Sequence, residues 1–146
     1  MENGEHISAF LNMMYRVSQN GETGFRPTQN FQTHYAEIAQ KEECDMLIAG
    51  CEMVMSEHRE KEWREVIAAI RECYDGTVSY NTDKYQEDRV KWWDCVDVIS
   101  SSGYYPIQDW EQELDRIEAV VKAYHKPVFL CRSRMYVQNR IKTRSE

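Results

Sequence analysis

No stretch of this 146-residue chain approaches the roughly 18 consecutive apolar residues that a membrane-spanning helix needs. The acidic N-terminus has neither the basic start nor the apolar stretch of a secretory signal. These absences predict a soluble, cytoplasmic chain with no membrane partner. Basic residues are also in short supply, with 18 Lys and Arg against 25 Asp and Glu and a formal net charge of -7. The isoelectric point falls near 5.2. Nucleic-acid binders neutralise phosphates with clustered Lys and Arg, so nucleic acid is not an expected partner. The five cysteines, Cys44, Cys51, Cys73, Cys95 and Cys131, form no C-x-x-C pair and have no His at ligand spacing. That argues against a disulfide framework and against zinc, and leaves buried thiols as the expectation. No metal or other cofactor is expected. A Gly-rich turn after a strand is missing too, which removes the phosphate cradle of a nucleotide-binding sheet.

What is present suffices for a core: 42% of residues are hydrophobic and 12% aromatic. Phe31, Tyr35 and Ile38 recur at helical spacing, which predicts a helix starting near Pro27 and Thr28 with these three on one face. A short apolar strand follows over 46–49. Trp63, Val66, Ile67 and Ile70 predict a helix over about 57–74, stopped by Asp75 and Gly76. Residues 77–80 read as a strand, 85–94 as a short helix carrying Trp92 and Trp93, and 96–100 as a further strand. Trp110, Leu114, Ile117, Val121 and Tyr124 mark a long helix, and 127–131 returns as a strand. Strands alternating with helices at this interval imply βαβ crossovers and a parallel α/β sheet with helices outside. The doubly wound sheet and the (β/α)8 barrel share that pattern. Polar groups fall at the C-terminal ends of the strands, namely Glu52, then Asn81 and Asp83, then Tyr104. Barrel enzymes keep their active sites at those ends.

The segments 44–53, 80–83, 96–107 and 126–129 together resemble the fourth to seventh strands of clan A glycoside hydrolases. The likeness is strongest to glycoside hydrolase family 113, the endo-β-1,4-mannanase-like barrels, and covers about residues 26–130. It implies a partial (β/α)8 TIM barrel, a carbohydrate substrate and a retaining mechanism. In such a mechanism an acid/base glutamate ends the fourth strand and a nucleophilic glutamate ends the seventh. Glu52 matches the first position, preceded by Cys51 where the clan more often has Asn. The resemblance further implies that Asn81 contacts the sugar and that Tyr104 is a hydrogen-bond partner of the nucleophile.

At the seventh strand the glutamate's place falls on Arg132. A guanidinium stays protonated and has no lone pair with which to form a glycosyl ester, so the chain as written is not expected to catalyse the retaining reaction. From Arg132 to the end the sequence turns basic and loses apolar periodicity. Over 130–138 a frame offset by one nucleotide can spell Cys-Ala-Glu-Ala-Gly, which contains the expected Glu and Gly. An overlapping frame over 13–25 can likewise spell a segment resembling the family's loop after the third strand. The expected organisation is an atypical segment at 1–25, a partial barrel domain at 26–131 and a basic tail at 132–146, both ends being candidates for frameshift.

Plainer readings stand beside these. Asn81 and Asp83 are typical turn formers, and Tyr104 and Tyr105 precede a proline turn. Trp63 and Trp110 lie on helix core faces and are expected to pack rather than to stack on sugars. The charged run 57–65 reads as a solvated helix face with i,i+4 pairs. A complete barrel takes about 250 residues, so four strands expose two sheet edges and the apolar surface that further strands would cover. Self-association through those edges is therefore expected. The alternative function is a non-catalytic α/β binding or interaction module that needs a partner to complete its sheet.

Overall fold

The computed structural model describes residues 22–131, with side chains from Phe25 onward. Helix α1 (Glu22–Lys41) leads into strand β1 (Met46–Cys51), and a 3-10 turn (Val54–Ser56) precedes helix α2 (Glu60–Arg71). Strand β2 (Thr77–Thr82), a 3-10 turn (Trp93–Cys95) and strand β3 (Val98–Ser101) follow. A third 3-10 turn (Ile107–Asp109) opens into helix α3 (Trp110–Tyr124), and β4 (Val128–Leu130) ends the described chain. The sheet runs in the order β1, β2, β3, β4, and every neighbouring pair is parallel.

Local sequence accounts for most of these elements. In α2 the buried positions are Trp63, Val66, Ile67 and Ile70, with Glu60 and Glu62 in the first turn and Arg71 in the last, where each sign complements the helix dipole. Helix α3 buries Ile117 and Val120 and stops at His125, whose φ of 53° turns the chain out of the helix. On the helix-covered face of the sheet, Trp63 and Trp92 stack with ring centroids 5.0 Å apart, and Tyr80 meets Trp92 edge-on at 4.8 Å. These rings and Trp93 are fully buried. Gly50 allows that packing, because a Cβ there would lie 2.9 Å from the Tyr80 ring and 3.0 Å from Trp63.

The expectation of buried thiols fails, since Cys44 and Cys51 are exposed and Cys73, Cys95 and Cys131 half-buried; three further expectations are corrected. Helix α1 begins ahead of Pro27, and its buried face is Phe25, Thr28, Gln32, Ala36 and Ala39, whereas Tyr35 and Ile38 are exposed. Phe25 packs edge-on against Trp63 at 5.8 Å, which anchors the turn before the proline. Small Ala36 and Ala39 let the helix approach its neighbours, so the larger stripe faces away. Second, 85–94 is not an α-helix. Tyr85 has φ 66°, which interrupts a right-handed helix, and the indole N–H groups of Trp92 and Trp93 donate to the carbonyls of Glu57 and Glu87. The distant anchor of Trp92 and the fold-back of Trp93 onto Glu87 override the helical pattern. Third, Glu57 is not solvated: it is buried ahead of α2, although Glu60, Lys61, Arg64 and Glu65 do form the expected exposed i,i+4 pairs.

Candidate functional site

The end of β1 departs from regular pairing. Ile48 aligns with Ser79 but Cys51 aligns with Asn81, so one extra residue is accommodated in a bulge that contains Gly50. Bulges re-aim the side chain that follows. Here that side chain is Glu52, whose φ of 52° lies in the left-handed region and whose N–H donates to the Asn81 carbonyl at 2.7 Å. A non-glycine residue held in that region costs about 1–3 kcal/mol and persists where its surroundings over-determine it.

The Glu52 carboxyl accepts a hydrogen bond from the Ser102 hydroxyl. Asn81 Nδ2 donates to Ser102 Oγ at 3.0 Å and to Cys51 Sγ at 3.3 Å. Asn81 is 3% exposed, and its Oδ1 is buried with no hydrogen-bond partner. All four residues line a cavity of about 530 Å³ at the C-terminal ends of the strands, together with Phe31 and Tyr35 of α1. A buried acceptor left without a donor costs about 1–3 kcal/mol, and a hydroxyl-rich ligand in the cavity would supply one. Cys131 also lines the cavity, its N–H held by the Ser101 carbonyl at 2.9 Å. Arg132, the next residue, lies outside the described residues.

Of the residues singled out in the sequence, Glu52 and Asn81 come together. Tyr104 is half-buried on the loop after β3, its carbonyl accepting from Lys84 Nζ at 3.3 Å, and its side chain is not part of the cavity wall. Sequence reasoning missed Ser102. The signal available was the serine run at the end of β3, where Ser100 and Ser102 alternate onto the same face as Asn81.

Two buried glutamates stand behind the site. Glu57 accepts from the Tyr80 hydroxyl at 2.9 Å and from Thr82 Oγ1 at 2.7 Å. Burial pushes its carboxyl pKa up against the opposing pull of those two hydrogen bonds, with Asp83 and Glu87 adding to the rise. Glu87 is fully buried and accepts from Tyr105, from Ser101 and from Arg116 Nη2, the last at 2.6 Å. Burial and the Glu87 bond push the Tyr105 phenol well up. Among the described residues no group of His, Cys, Asp and Glu is placed to hold a metal ion, and no helix is long and apolar enough to cross a membrane.

A parallel sheet covered by helices on one face, with a carboxyl group and polar partners at its strand C-terminal ends, has the arrangement of part of a (β/α)8 barrel enzyme. The profile of Glycoside Hydrolase Family 113 matches residues 5–139. The chain belongs to glycoside hydrolase family 113. Two solved structures, described as a GH113 β-1,4-mannanase and as its complex, are each 60% identical with a TM-score of 0.74. The alignment covers 76% of this chain and 36% of theirs. The GH113 β-mannanase AaManA from Alicyclobacillus acidocaldarius, in complex with ManMIm, is 42% identical with a TM-score of 0.73, over 75% of this chain and 35% of that one. The chain thus spans about a third of the length of these relatives. No curated protein matches it.

Proposed function

We propose that this chain is the acid/base portion of a retaining glycoside hydrolase directed at β-1,4-linked mannan or its oligosaccharides. The observation that carries the reading is Glu52, set in a left-handed turn after a strand bulge and facing a cavity together with Asn81 and Ser102. In the retaining reaction such a carboxyl group protonates the leaving glycosidic oxygen and then, as carboxylate, takes a proton from water. Asn81 Oδ1 would accept from a sugar hydroxyl, and Tyr104 would serve the nucleophile's side of the site. The nucleophile's place falls on Arg132, which forms no glycosyl ester, so the proposal includes binding without turnover by the chain as written.

The test is titration of the full chain with β-1,4-mannohexaose, followed by assay for released reducing ends. The expected result is saturable binding weakened in Asn81→Ala, with no hydrolysis. Hydrolysis abolished by Glu52→Gln would overturn the inactivity and keep the glycosidase reading. An absence of any binding would overturn the carbohydrate reading and leave the interaction module in its place.

A further inference from the structure

The fully buried aromatic residues Trp63, Tyr80 and Trp92 each carry one polar atom, and all three atoms meet the five residues that follow Glu52. Trp63 Nε1 donates to the Ser56 carbonyl at 3.0 Å, and Trp92 Nε1 donates to the Glu57 carbonyl at 3.0 Å. The Tyr80 hydroxyl accepts from the Met53 N–H at 3.0 Å and donates to Glu57 Oε1 at 2.9 Å. Within the segment, the Ser56 N–H and hydroxyl both donate to the Met53 carbonyl, at 2.8 and 2.9 Å. Met53 is therefore held at both its N–H and its carbonyl, one residue beyond the strained φ of Glu52.

We propose that Tyr80 and Glu57 are positioning residues for Glu52: a continuous line from the Met53 N–H through the Tyr80 hydroxyl to the Glu57 carboxyl fixes the turn that points Glu52 at Ser102 and the cavity. The assignment of a purpose to this line rests on the acid/base reading of Glu52 given above. The geometry goes beyond ordinary satisfaction of buried polar groups. Tyr80 lies in the middle of β2 with its ring in the aromatic layer, and its hydroxyl bridges a backbone amide next to Glu52 and a buried carboxyl group five residues on. Thr82, on the same strand and the same face as Tyr80, donates to the same oxygen of Glu57 and holds it in place. Loss of this line would free the left-handed turn to relax toward ordinary backbone angles, carrying the Glu52 carboxyl away from Ser102.

Residue-resolved amide exchange on the full chain tests this, with the 13C carboxyl resonance of Glu52 as a second reading. Tyr80→Phe keeps the ring and removes the hydroxyl, and Glu57→Leu removes the acceptor. Each should speed exchange of the Met53 amide by about tenfold or more while the α2 amides of Val66, Ile67 and Ile70 change by less than about threefold. Both variants should shift the Glu52 carboxyl resonance. Glu57→Gln, which keeps an oxygen for Tyr80 and Thr82, should restore both readings to near those of the parent. Equal acceleration in α2 and at Met53, or an unchanged Met53 in the folded variants, would overturn the positioning role and leave a purely structural one. If one loss variant does not fold, the other together with Glu57→Gln decides the matter. Failure of the parent to bind mannohexaose would instead count against the carbohydrate reading, a result independent of the exchange pattern.

Discussion

The two faces of the sheet are completed to different degrees. On the helix-covered face, Val78, Tyr80 and Ile99 meet Trp63, Trp92 and Trp93, and all are fully buried. On the opposite face the register places Met46, Ile48, Ser79, Asn81, Ser100 and Phe129 together. There Met46 and Ile48 are each 39% exposed and Phe129 is 49% exposed. Polar atoms differ in the same sense. In the aromatic layer the Tyr80 hydroxyl and the indoles of Trp63, Trp92 and Trp93 have partners, whereas on the other face Asn81 Oδ1 has none; the Trp110 indole N–H, outside that layer, is also unpaired. The difference teaches that the helix-covered face is closed at its centre, around Tyr80 and Ile99, and open only toward β4, where Val128 is 40% exposed, whereas the opposite face is left open at both β1 and β4.

The strongest way to break the comparison is to remove the centre of the closed face. Trp63→Ala deletes a fully buried indole that contacts Phe25, Tyr80 and Trp92, and should destabilise by about 3–5 kcal/mol in urea unfolding. A loss below about 1 kcal/mol would mean the aromatic layer is not the core of the folded chain. Next comes the ion pair behind the loop after β3. Arg116→Ala leaves the fully buried Glu87 carboxyl with only Tyr105 and Ser101 as donors, and an uncompensated buried charge costs about 3 kcal/mol. Arg116→Lys, which keeps the charge, should recover part of that loss.

The parts legible in the sequence were those set by short-range pattern. Helical spacing of Trp63, Val66, Ile67 and Ile70, and strands ending in polar residues, gave the parallel sheet and put Glu52 at a strand end. What escaped was set by tertiary contacts. Trp92 and Trp93 lie in a segment that reads as a short helix, yet the Trp92 indole reaches the distant Glu57 carbonyl and the Trp93 indole folds back on the Glu87 carbonyl six residues earlier. Phe31, Tyr35 and Ile38 form a helical stripe, but hydrophobicity alone does not say whether this chain or another surface covers it. Glu57 stood in an acidic run, where charge pattern argues for solvent, and only the strand behind it supplies the hydroxyls that let it be buried. Ser102 carries no chemistry of its own and becomes relevant only because the β1 bulge brings Glu52 to it.

The open face gives the third prediction, in which stability and association separate. Phe129→Ser replaces a half-exposed ring on the last described strand. Little buried apolar area is lost, so monomer stability should change by less than about 1 kcal/mol. If the exposed apolar surface and sheet edges drive self-association, the variant should shift sedimentation or size-exclusion profiles toward the monomer across a dilution series. A parent chain that is already a stable monomer at every concentration would end that expectation, and would show that the inner face is tolerated in water as it stands.

The last prediction concerns Glu57, where the sign of the pH dependence is itself the test. Burial is the largest influence on this carboxyl group and raises its pKa above the ordinary 4.5. The folded state therefore binds the proton more tightly than the unfolded chain does. As pH rises from 4.5 through the raised value, the unfolded state releases its proton first, and stability falls by up to about 1.4 kcal/mol for each unit by which the pKa is raised. Asp94 and Asp97 act oppositely and in a lower range. Asp94 is held below the ordinary 3.8 chiefly by its bond to Arg64. For Asp97, burial is outweighed by Arg71 and the Val78 N–H. Their stabilisation is lost as pH falls through that acid range. Subtracting the Glu57→Gln curve from the parent curve cancels them, because both proteins carry them. The difference should decline as pH rises above the ordinary carboxyl value and level off only once pH has passed the raised value. A difference that rises with pH would mean that Glu57 is held ionised by Tyr80 and Thr82 rather than neutral by burial. The line behind Glu52 would then end in a carboxylate at all working pH values.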